Sequence, residues 1–412
     1  MEEKEIREYC LNCKVKPCSV KGCPLNNDIP SFIHEEDYEK AFNILCNTTV
    51  LPAICGKICP HEKQCQGSCV RGIKSHPVPI GDMESIIGDM SIKNNYKIPK
   101  EIDEKLVDKK VAVIGSGPAG LTCSAFLARK GVQVTLYEKY NELGGILVHG
   151  IPEFRLPKQT VKDTIIKILD LGIKVELNKE LGKNLNIEDL SGKYDAVFVG
   201  IGANIPSKMN IPGEDLEGVY GGNTLLETGN HPSYEGKTVA VIGGGNVAMD
   251  SARTIKRLGA KQVYVIYRRA EEQMPAERKE IESAKEEGIE FLFQNNIVKV
   301  LGNTHVEKIE CIRTQLVKKE GEDRLSPVNI EGSNYIMDMD YVVMATGSKP
   351  EEKVIENFEK NKWGYIAVNE KMQTSIKNVY AGGDIAGEKQ TVAWAARSGR
   401  NAAESIIKIF AQ

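Results

Sequence analysis

Hydrophobic and polar positions follow one pattern in the front quarter of the chain and another behind it. From residue 111, an apolar run, VAVIG, is followed by a glycine turn, a helix-like segment and a second apolar run, VQVTLYEK. The same order returns at 238–269, in TVAVIGGGNVAMDSARTIKRLGAKQVYVIYRR. Apolar strands that alternate with helical segments predict parallel sheets with crossover helices, and two copies predict two domains of similar design.

Further elements are predicted behind the second copy. Residues 296–317 alternate apolar and polar positions, as antiparallel strands do. Residues 338–350 and 378–387 are typical of strands that end in glycine turns, and a last helix is expected from about Thr391 to Phe410.

The first hundred residues differ, because they show short helical patterns, such as EEDYEKAFNIL, and few strand signals. A polar, lysine-rich stretch at 91–110 is expected to link this part to the next. We therefore predict an α/β protein in which a small α-helical domain precedes two Rossmann-like dinucleotide-binding domains. The predicted domains are 1–105 (helical), 106–235 with 345–412 (first nucleotide domain) and 236–344 (second nucleotide domain).

Composition and charge exclude several classes of function. A length of 412 residues is too great for one hydrophobic core, and no apolar run approaches the roughly 20 residues of a membrane-spanning helix. A formal charge of −3 with both signs interspersed offers no basic field to nucleic acid or anionic lipid. The acidic start, MEEKEIREYC, is unlike a secretory signal, so we expect a cytoplasmic protein with small-molecule or protein partners.

Cysteine is concentrated at the front of the chain, where nine of the eleven lie before residue 70. In a reducing compartment this density favours metal binding over disulfides. Short loops of cysteines that end in Cys-Pro, as at Cys23 and Cys59, are typical of 4Fe–4S clusters. Structural zinc uses similar spacings and is the alternative.

The first glycine motif, G-x-G-x-x-G from Gly115 to Gly120, stands between an apolar strand and a helix. This spacing lets a pyrophosphate approach the backbone at a helix N-terminus. Glu138 follows 18 residues after Gly120, at the end of the next strand, where an acid binds the hydroxyls of an adenosine ribose. The motif therefore predicts a dinucleotide site.

The second motif, G-x-G-x-x-A from Gly243, has basic residues where the first has its acid, since Arg268 and Arg269 follow the next strand. A guanidinium binds a 2′-phosphate that a carboxylate would repel, so NADP(H) is predicted here and FAD at the first site. Alternatively, the two arginines form a solvated rim or pair with the acids at 271–272.

Several strings together resemble the two-dinucleotide-binding flavoproteins of the disulfide-reductase superfamily: VAVIGSGPAGL, YEK, GIPEFRLP, MATG and YAGGD. The front strings CLNC, CPLNNDIPSFI, LPAICGKICPHEKQCQGSC and VPIGDMES extend the resemblance to nearly the whole chain. The chain resembles the small (β) subunit of NADPH-dependent glutamate synthase and the N-terminal half of dihydropyrimidine dehydrogenase.

This resemblance implies the cofactor residues. Those for FAD are Gly115, Gly117, Pro118, Ala119, Gly120, Glu138, Lys139, Gly144, Gly145, Leu147, Gly150, Ile151, Arg155, Gly347, Gly383, Asp384, Thr391 and Val392. Those for NADP(H) are Gly243, Gly245, Asn246, Val247, Ala248, Arg268 and Arg269. No side chain is expected to act as a catalytic acid or base, because hydride transfer depends on how the cofactors are positioned.

The resemblance also implies two 4Fe–4S clusters. One would be held by Cys10, Cys13, Cys18 and Cys69, and the second by Cys23, Cys59, Cys65 and Glu84. Cys46 and Cys55 are left as core residues, and Glu84 has the alternative of a solvated helical position. In one place the chain departs from the family, because four residues, SVKG, separate Cys18 from Cys23 where relatives usually have three.

The implied activity is oxidation of NADPH by FAD, followed by transfer of single electrons through the clusters to a partner. A large glutamate synthase-like subunit is the leading partner. The alternatives are a ferredoxin:NADP oxidoreductase (transhydrogenase or sulfide dehydrogenase type) with ferredoxin, a dihydropyrimidine dehydrogenase, and a non-catalytic redox-sensing module. Dithiol exchange is not expected, because Cys311 is the only cysteine between 236 and 344.

Overall fold

The computed structural model describes residues 1–318 and 325–412, which form two compact units. The first unit contains residues 1–203 and 350–412, and the second contains residues 204–349. The front of the first unit is helical, with α1 (Glu3–Tyr9), α2 (Ile29–His34), α3 (Tyr38–Cys46), α4 (Pro52–Ile58) and α5 (Ile80–Lys93).

Local sequence explains where these front helices begin. The Asp37 side chain accepts hydrogen bonds from the backbone N–H groups of Glu39 and Lys40 and so caps α3. Pro30 and Pro52 occupy the first turns of α2 and α4, where a missing N–H costs nothing.

Helices α4 and α5 touch backbone to backbone. A methyl group added to Gly88 would lie 2.2 Å from the backbone nitrogen of Ala53, so only glycine permits this approach. At the start of α5, the N–H of Gly81 donates to Gln66 Oε1 at 3.2 Å, next to Cys65, and Glu84 is buried one turn further along the helix.

The rest of the chain alternates strands and helices. The strands are β1 (Lys110–Ile114), β2 (Gln133–Tyr137), β3 (Lys174–Glu176), β4 (Ala196–Val199), β5 (Ile205–Pro206), β6 (Val219–Gly221), β7 (Thr238–Ile242), β8 (Gln262–Tyr267), β9 (Glu290–Phe293), β10 (Asn295–Leu301), β11 (Lys308–Val317), β12 (Ser326–Asn329), β13 (Tyr335–Asp338), β14 (Tyr341–Met344), β15 (Ser348–Lys349) and β16 (Val379–Ala381). The helices are α6 (Pro118–Ala128), α7 (Ile146–His149), α8 (Lys158–Leu169), α9 (Ile187–Lys193), α10 (Gly222–Thr228), α11 (Asn246–Arg257), α12 (Arg278–Glu286) and α13 (Val392–Phe410).

The first unit contains a parallel sheet in the order β16-β4-β1-β2-β3. Its central strands are apolar along their length because helices cover both faces of such a sheet. In register, Val111 of β1 lies between Val134 of β2 and Ala196 of β4. Helix α13 packs against α6, which places the last helix beside the first glycine motif.

The second unit contains a parallel sheet in the order β6-β14-β7-β8-β9. Strands β10, β11 and β12 form an antiparallel sheet with β13 beside β11, and β5 pairs with β15. The predicted NADP(H) domain, 236–344, lies wholly within this unit. Residues 204–235 and 345–349, which the sequence assigned to the FAD domain, lie in it as well, because β6 pairs with β14 and β5 with β15.

The stretch at 91–110, predicted to link the helical front to the next part, connects α5 to β1 and is packed against the first unit. Ile98 and Leu106 are buried in the core of the first unit, and Lys167 donates a hydrogen bond to the carbonyl of Ser91 at 2.9 Å. Within residues 1–318 and 325–412, no helix is long and apolar enough to cross a membrane.

Candidate cofactor sites

Four of the predicted cluster ligands surround one pocket. Cys10, Cys13, Cys18 and Cys69 line one open pocket together with apolar side chains such as Ile29, Ile33 and Ile80. Burial raises the pKa of the Cys18 thiol to about 11, and Cys69 and Cys10 add to this rise, so these sulfurs lie close together. Cys18 is buried, whereas the other three are half-buried. This first group of cysteines therefore lies at the protein surface.

The extra residue in SVKG forms part of a single π-helical turn, Cys18–Gly22. The backbone N–H of Cys23 donates to the carbonyl of Cys18 at 2.7 Å, five residues back. A wider π turn absorbs one inserted residue. Cys18 thereby stays with the first group, while Cys23 turns toward another.

The second group contains Cys23, Cys59, Cys65 and Glu84. Burial and the Glu84 carboxylate raise the pKa of the Cys23 thiol to about 12 and also raise the pKa of Cys65. Glu84 is only 5% exposed, and burial raises its pKa to about 8. Glu84 is therefore not a solvated surface residue. A cationic iron cluster would offset the cost of placing these acids together, so the donor set fits such a group.

Cys55 is buried in the core, as predicted, and lies beside Cys59 of the second group. Its thiol raises the pKa of the neighbouring Cys59 and, by a smaller contribution, that of Cys23. The helical spacing of four residues between Cys55 and Cys59 is the sequence signal for this proximity. Cys46 is fully buried in the core, as predicted.

No three His, Cys, Asp or Glu side chains of the described residues converge on a point where they could share a single metal ion. A 4Fe–4S cluster instead takes one protein ligand at each of its four irons, so its ligands need not converge on one point.

The first glycine motif forms a tight turn between β1 and α6. A methyl group on Gly120 would lie 1.8 Å from the carbonyl oxygen of Gly115, so this glycine is needed for helix and strand to pack. A methyl group on Gly117 would meet no atom within 4 Å. Open space at Gly117, beside the N-terminus of α6, fits the approach of a pyrophosphate.

Glu138 ties the parts of this site together. Its Oε2 accepts hydrogen bonds from the backbone N–H and the hydroxyl of Ser116, at 2.9 and 2.5 Å. The same hydroxyl accepts a bond from the N–H of Gly144 at 2.9 Å. Oε1 accepts a bond from the N–H of Tyr140, whose ring lies beneath the Lys139 ammonium. The residues expected to bind FAD at 115–120, 138–139 and 144–145 are thus neighbours.

The remaining residues expected to bind FAD fall into two places in the first unit and one in the second. Leu147, Gly150, Ile151 and Arg155 belong to α7 and the turn after it, where Lys158 donates to the carbonyls of Leu147 and Ile151. Gly383 donates its N–H to the hydroxyl of Ser398 on α13 at 2.6 Å. Thr391 caps α13 and Val392 begins it. Gly347 lies in the second unit, between β14 and β15.

The second glycine motif has the same design in the second unit. Asn246 and Val247 begin α11, Ala248 is fully buried, and a methyl group on Gly245 would lie no closer than 3.9 Å to any atom. The motif therefore presents open backbone at a helix N-terminus, as the first motif does.

Arg268 and Arg269 follow β8 at the edge of the sheet that carries the second motif. Arg268 is exposed, and the buried Nε of Arg269 has no hydrogen-bond partner among the described residues. Glu271 forms its ion pair with Lys285, at 2.6 Å, and within the described ranges neither arginine forms one. Both guanidinium groups are therefore available to an anion.

Replacing Gly117 by valine is expected to abolish FAD binding and leave the fold intact. The added side chain would enter open space that belongs to the pyrophosphate, whereas Gly120→Val would clash with the backbone and impair folding. FAD content and thermal unfolding of the two variants test this. Full FAD occupancy in Gly117→Val would contradict the predicted site.

Replacing Asp384 by asparagine is expected to stabilise FAD-free protein at neutral pH. Burial and the Glu388 carboxylate raise the pKa of Asp384 from 3.8 to about 6. The folded state therefore binds the proton more tightly than the unfolded state, and this contribution to stability is lost as pH rises through about 6. The neutral amide avoids that loss, so the variant should melt higher at pH 7 and no higher below pH 4.

Asp170→Asn is the matched control, because the Lys97 ammonium lowers the pKa of Asp170. Removing the Asp170 carboxylate should destabilise the protein at neutral pH, whereas removing that of Asp384 should stabilise it. Equal melting temperatures for wild type and Asp384→Asn at pH 7 would show that the ionised Asp384 carboxylate does not destabilise the folded protein.

Two protein-family models match this sequence. Residues 109–399 match the family described as pyridine nucleotide-disulphide oxidoreductase. Residues 2–96 match the family described as dihydropyrimidine dehydrogenase domain II, 4Fe-4S cluster.

Curated relatives match over nearly the whole chain. The glutamate synthase (NADPH) small chain of Escherichia coli is 36% identical over 98% of this chain and 91% of its own length. The corresponding small chain of Azospirillum brasilense is 35% identical over 98% of this chain and 88% of its own. The NADP(+)-dependent formate dehydrogenase subunit beta of Moorella thermoacetica is 35% identical over 96% of this chain and 60% of its own.

Solved structures share the fold at lower identity. FprA of Mycobacterium tuberculosis in complex with NADPH has a TM-score of 0.65 and 19% identity, covering 73% of this chain and 84% of its own. Thioredoxin reductase of Lactococcus lactis has a TM-score of 0.55 and 20% identity, covering 74% of this chain and 99% of its own. These matches, with the family models, confirm the predicted fold class.

Proposed function

The chain belongs to the glutamate synthase small-chain family of pyridine nucleotide-disulphide oxidoreductases, and from this premise we propose that it oxidises NADPH and passes single electrons to a partner subunit. FAD binds in the first unit, NADP(H) in the second, and two 4Fe–4S clusters in the helical front. One observation carries this proposal: the predicted ligands lie in two separate groups, around Cys10 and around Cys23, in the unit that holds the FAD motif.

When bound, flavin accepts electrons in pairs and releases them singly, which lets it connect a pyridine nucleotide to iron–sulfur clusters. The residues of the chain bind the two nucleotides and orient them. Glu138 holds the adenosine ribose, and the N-terminus of α13 stabilises negative charge on the flavin ring. Arg268 and Arg269 hold the 2′-phosphate of NADP(H).

The two groups of cluster ligands differ in exposure, and this difference suggests an order. Cys59, Cys65 and Glu84 are buried and only Cys23 of the second group is half-buried, whereas three of the four cysteines of the first group are half-buried. The first cluster is therefore the one closer to solvent. We place it nearest to the redox centre of the partner.

A large glutamate synthase-like subunit is the partner that the small-chain relatives favour. The Moorella relative is named as a subunit of a formate dehydrogenase, which makes another large redox subunit the second candidate. Ferredoxin and a dihydropyrimidine-reducing partner are the remaining candidates, and identifying the protein that co-purifies with this chain distinguishes them.

Anaerobic purification of the full chain tests the function. We expect bound FAD, about eight irons per chain in two clusters, and NADPH-dependent reduction of an artificial acceptor. A protein with zinc and no iron would contradict the clusters. A preparation complete in flavin and iron that does not turn over NADPH would indicate a redox-sensing module. The subunit that co-purifies identifies the partner.

A further inference from the structure

Arg400 reaches from α13 to the loop that carries Cys23. Its Nη1 donates to the carbonyl oxygens of Leu25 and Thr48, both at 2.8 Å. Arg400 is 8% exposed, and its Nε lies 3.8 Å from Oε1 of the half-exposed Glu404. Burial lowers the pKa of Arg400, and the charges of Glu404, Arg397 and Cys23 also act on it, so the guanidinium lies within electrostatic reach of the second group of ligands. A buried cation that joins two loops at this point can fix the position of the Cys23 loop and can also act on a cluster through its charge.

Arg397, one helical turn earlier, holds the same loop. It donates to the carbonyl oxygen of Pro24 at 3.1 Å. On the same loop, the backbone N–H groups of Asn27 and Leu25 lower the pKa of the Cys23 thiol, so they lie near its sulfur. The loop is thus held between the ligand sulfur and the helix that begins at the predicted flavin site.

A chain of buried hydrogen bonds continues from Thr48 to Glu84. The Thr48 hydroxyl donates to Asn27 Oδ1 at 2.7 Å, and Asn27 Nδ2 donates to Glu84 Oε1 at 3.1 Å. Because Oδ1 is occupied, the amide can only turn its N–H toward the carboxylate. Within the described residues, Glu84 Oε2 accepts no hydrogen bond, which leaves that oxygen for a metal.

We propose that Arg400 is a positioning residue for the second cluster, acting through the Cys23 loop and through Thr48 and Asn27 on Glu84, and that its charge raises the potential of that cluster. The inference rests on the proposed function. A guanidinium stays protonated, and a nearby cation favours the reduced, more negative cluster. Burial strengthens this effect because little water screens it.

The experiment is an EPR-monitored redox titration of both clusters in the full, flavin-loaded protein. In Arg400→Met, the ratio of reduced to oxidised second cluster at a fixed potential should fall about tenfold, a shift of ~59 mV to more negative values. The first cluster should keep its potential. Arg400→Lys retains the positive charge and should stay close to wild type.

Arg129→Met is the matched control, because Arg129 is a buried arginine of the same unit that donates to the carbonyl of Cys46, which is not a predicted ligand. It should lower stability without moving either potential. If Arg400→Met does not fold, Thr48→Val tests the inference. This variant keeps Arg400 and removes the hydrogen bond from the Thr48 hydroxyl to the Asn27 amide. It should alter the EPR line shape of the second cluster alone.

The inference is wrong if Arg400→Met leaves the second potential unchanged, or if Arg129→Met shifts it equally. It is also wrong if Arg400→Met fails to fold and Thr48→Val gives the wild-type spectrum. A wild-type protein with a single cluster would instead contradict the proposed function, and that measurement comes first.

Discussion

Replacing Cys65 by alanine is expected to remove the second cluster and lower electron transfer to the partner by more than about 100-fold. Removing a residue that only hydrogen-bonds a metal ligand lowers metal affinity or activity by about 10- to 100-fold. Removing the ligand itself is expected to lower it further. Cys65 is a sharper choice than Cys59, because the thiol of Cys55 lies against Cys59 and offers a replacement ligand. Iron should fall from about eight to about four per chain.

NADPH should still reduce the flavin of Cys65→Ala, because the flavin site does not include this loop. Cys46→Ala provides the control, since Cys46 is equally buried in the same helical front and is not a predicted ligand. It should retain all the iron. Full iron content in Cys65→Ala would show that the second ligand set is misassigned.

Replacing Arg268 by glutamate and Arg269 by glutamine is expected to reverse the preference for NADPH over NADH. Hydrogen bonds to a charged group contribute about 1.5–3 kcal/mol each, so the loss of two lowers kcat/KM for NADPH by about 10²- to 10⁴-fold. Turnover with NADH should change little, because NADH carries no 2′-phosphate. Steady-state rates with both nucleotides measure the change.

Lys261→Glu is the control for added negative charge near the same strand, since Lys261 is exposed and precedes β8, whereas the two arginines follow it. Its preference should remain that of the wild type. If the arginine variant keeps its preference for NADPH, another part of the chain recognises the phosphate.

Local pattern predicted much of the two nucleotide-binding motifs. The turn after β1 and the turn after β7 depend on glycines within a few residues of each other, and the capping of α13 depends on Thr391 alone. Such features are short in sequence and follow from backbone sterics, so they can be inferred before any packing is known. The predicted last helix and the antiparallel strands at 296–317 agree with the structure, because their apolar periodicity is also a local feature of the sequence.

Packing over long distances in sequence decided the rest. The buried contact of Glu84 with Asn27 spans 57 residues, and that of Arg400 with Leu25 spans 375. No periodicity predicts such pairs, because their free energy arises when separate elements bury a polar group together. The role of Cys55 beside Cys59 and the packing of 91–110 also become visible only in the folded chain.

The sequence by itself determined that this protein has two glycine turns suited to dinucleotides and a front rich in thiols, since both follow from residue type and local spacing. Only the tertiary structure showed the π-helical turn between Cys18 and Cys23, the burial of Glu84 and the contact of the last helix with the Cys23 loop. The physical reason is that burial and charge at a site depend on every element packed around it, whatever its distance along the chain.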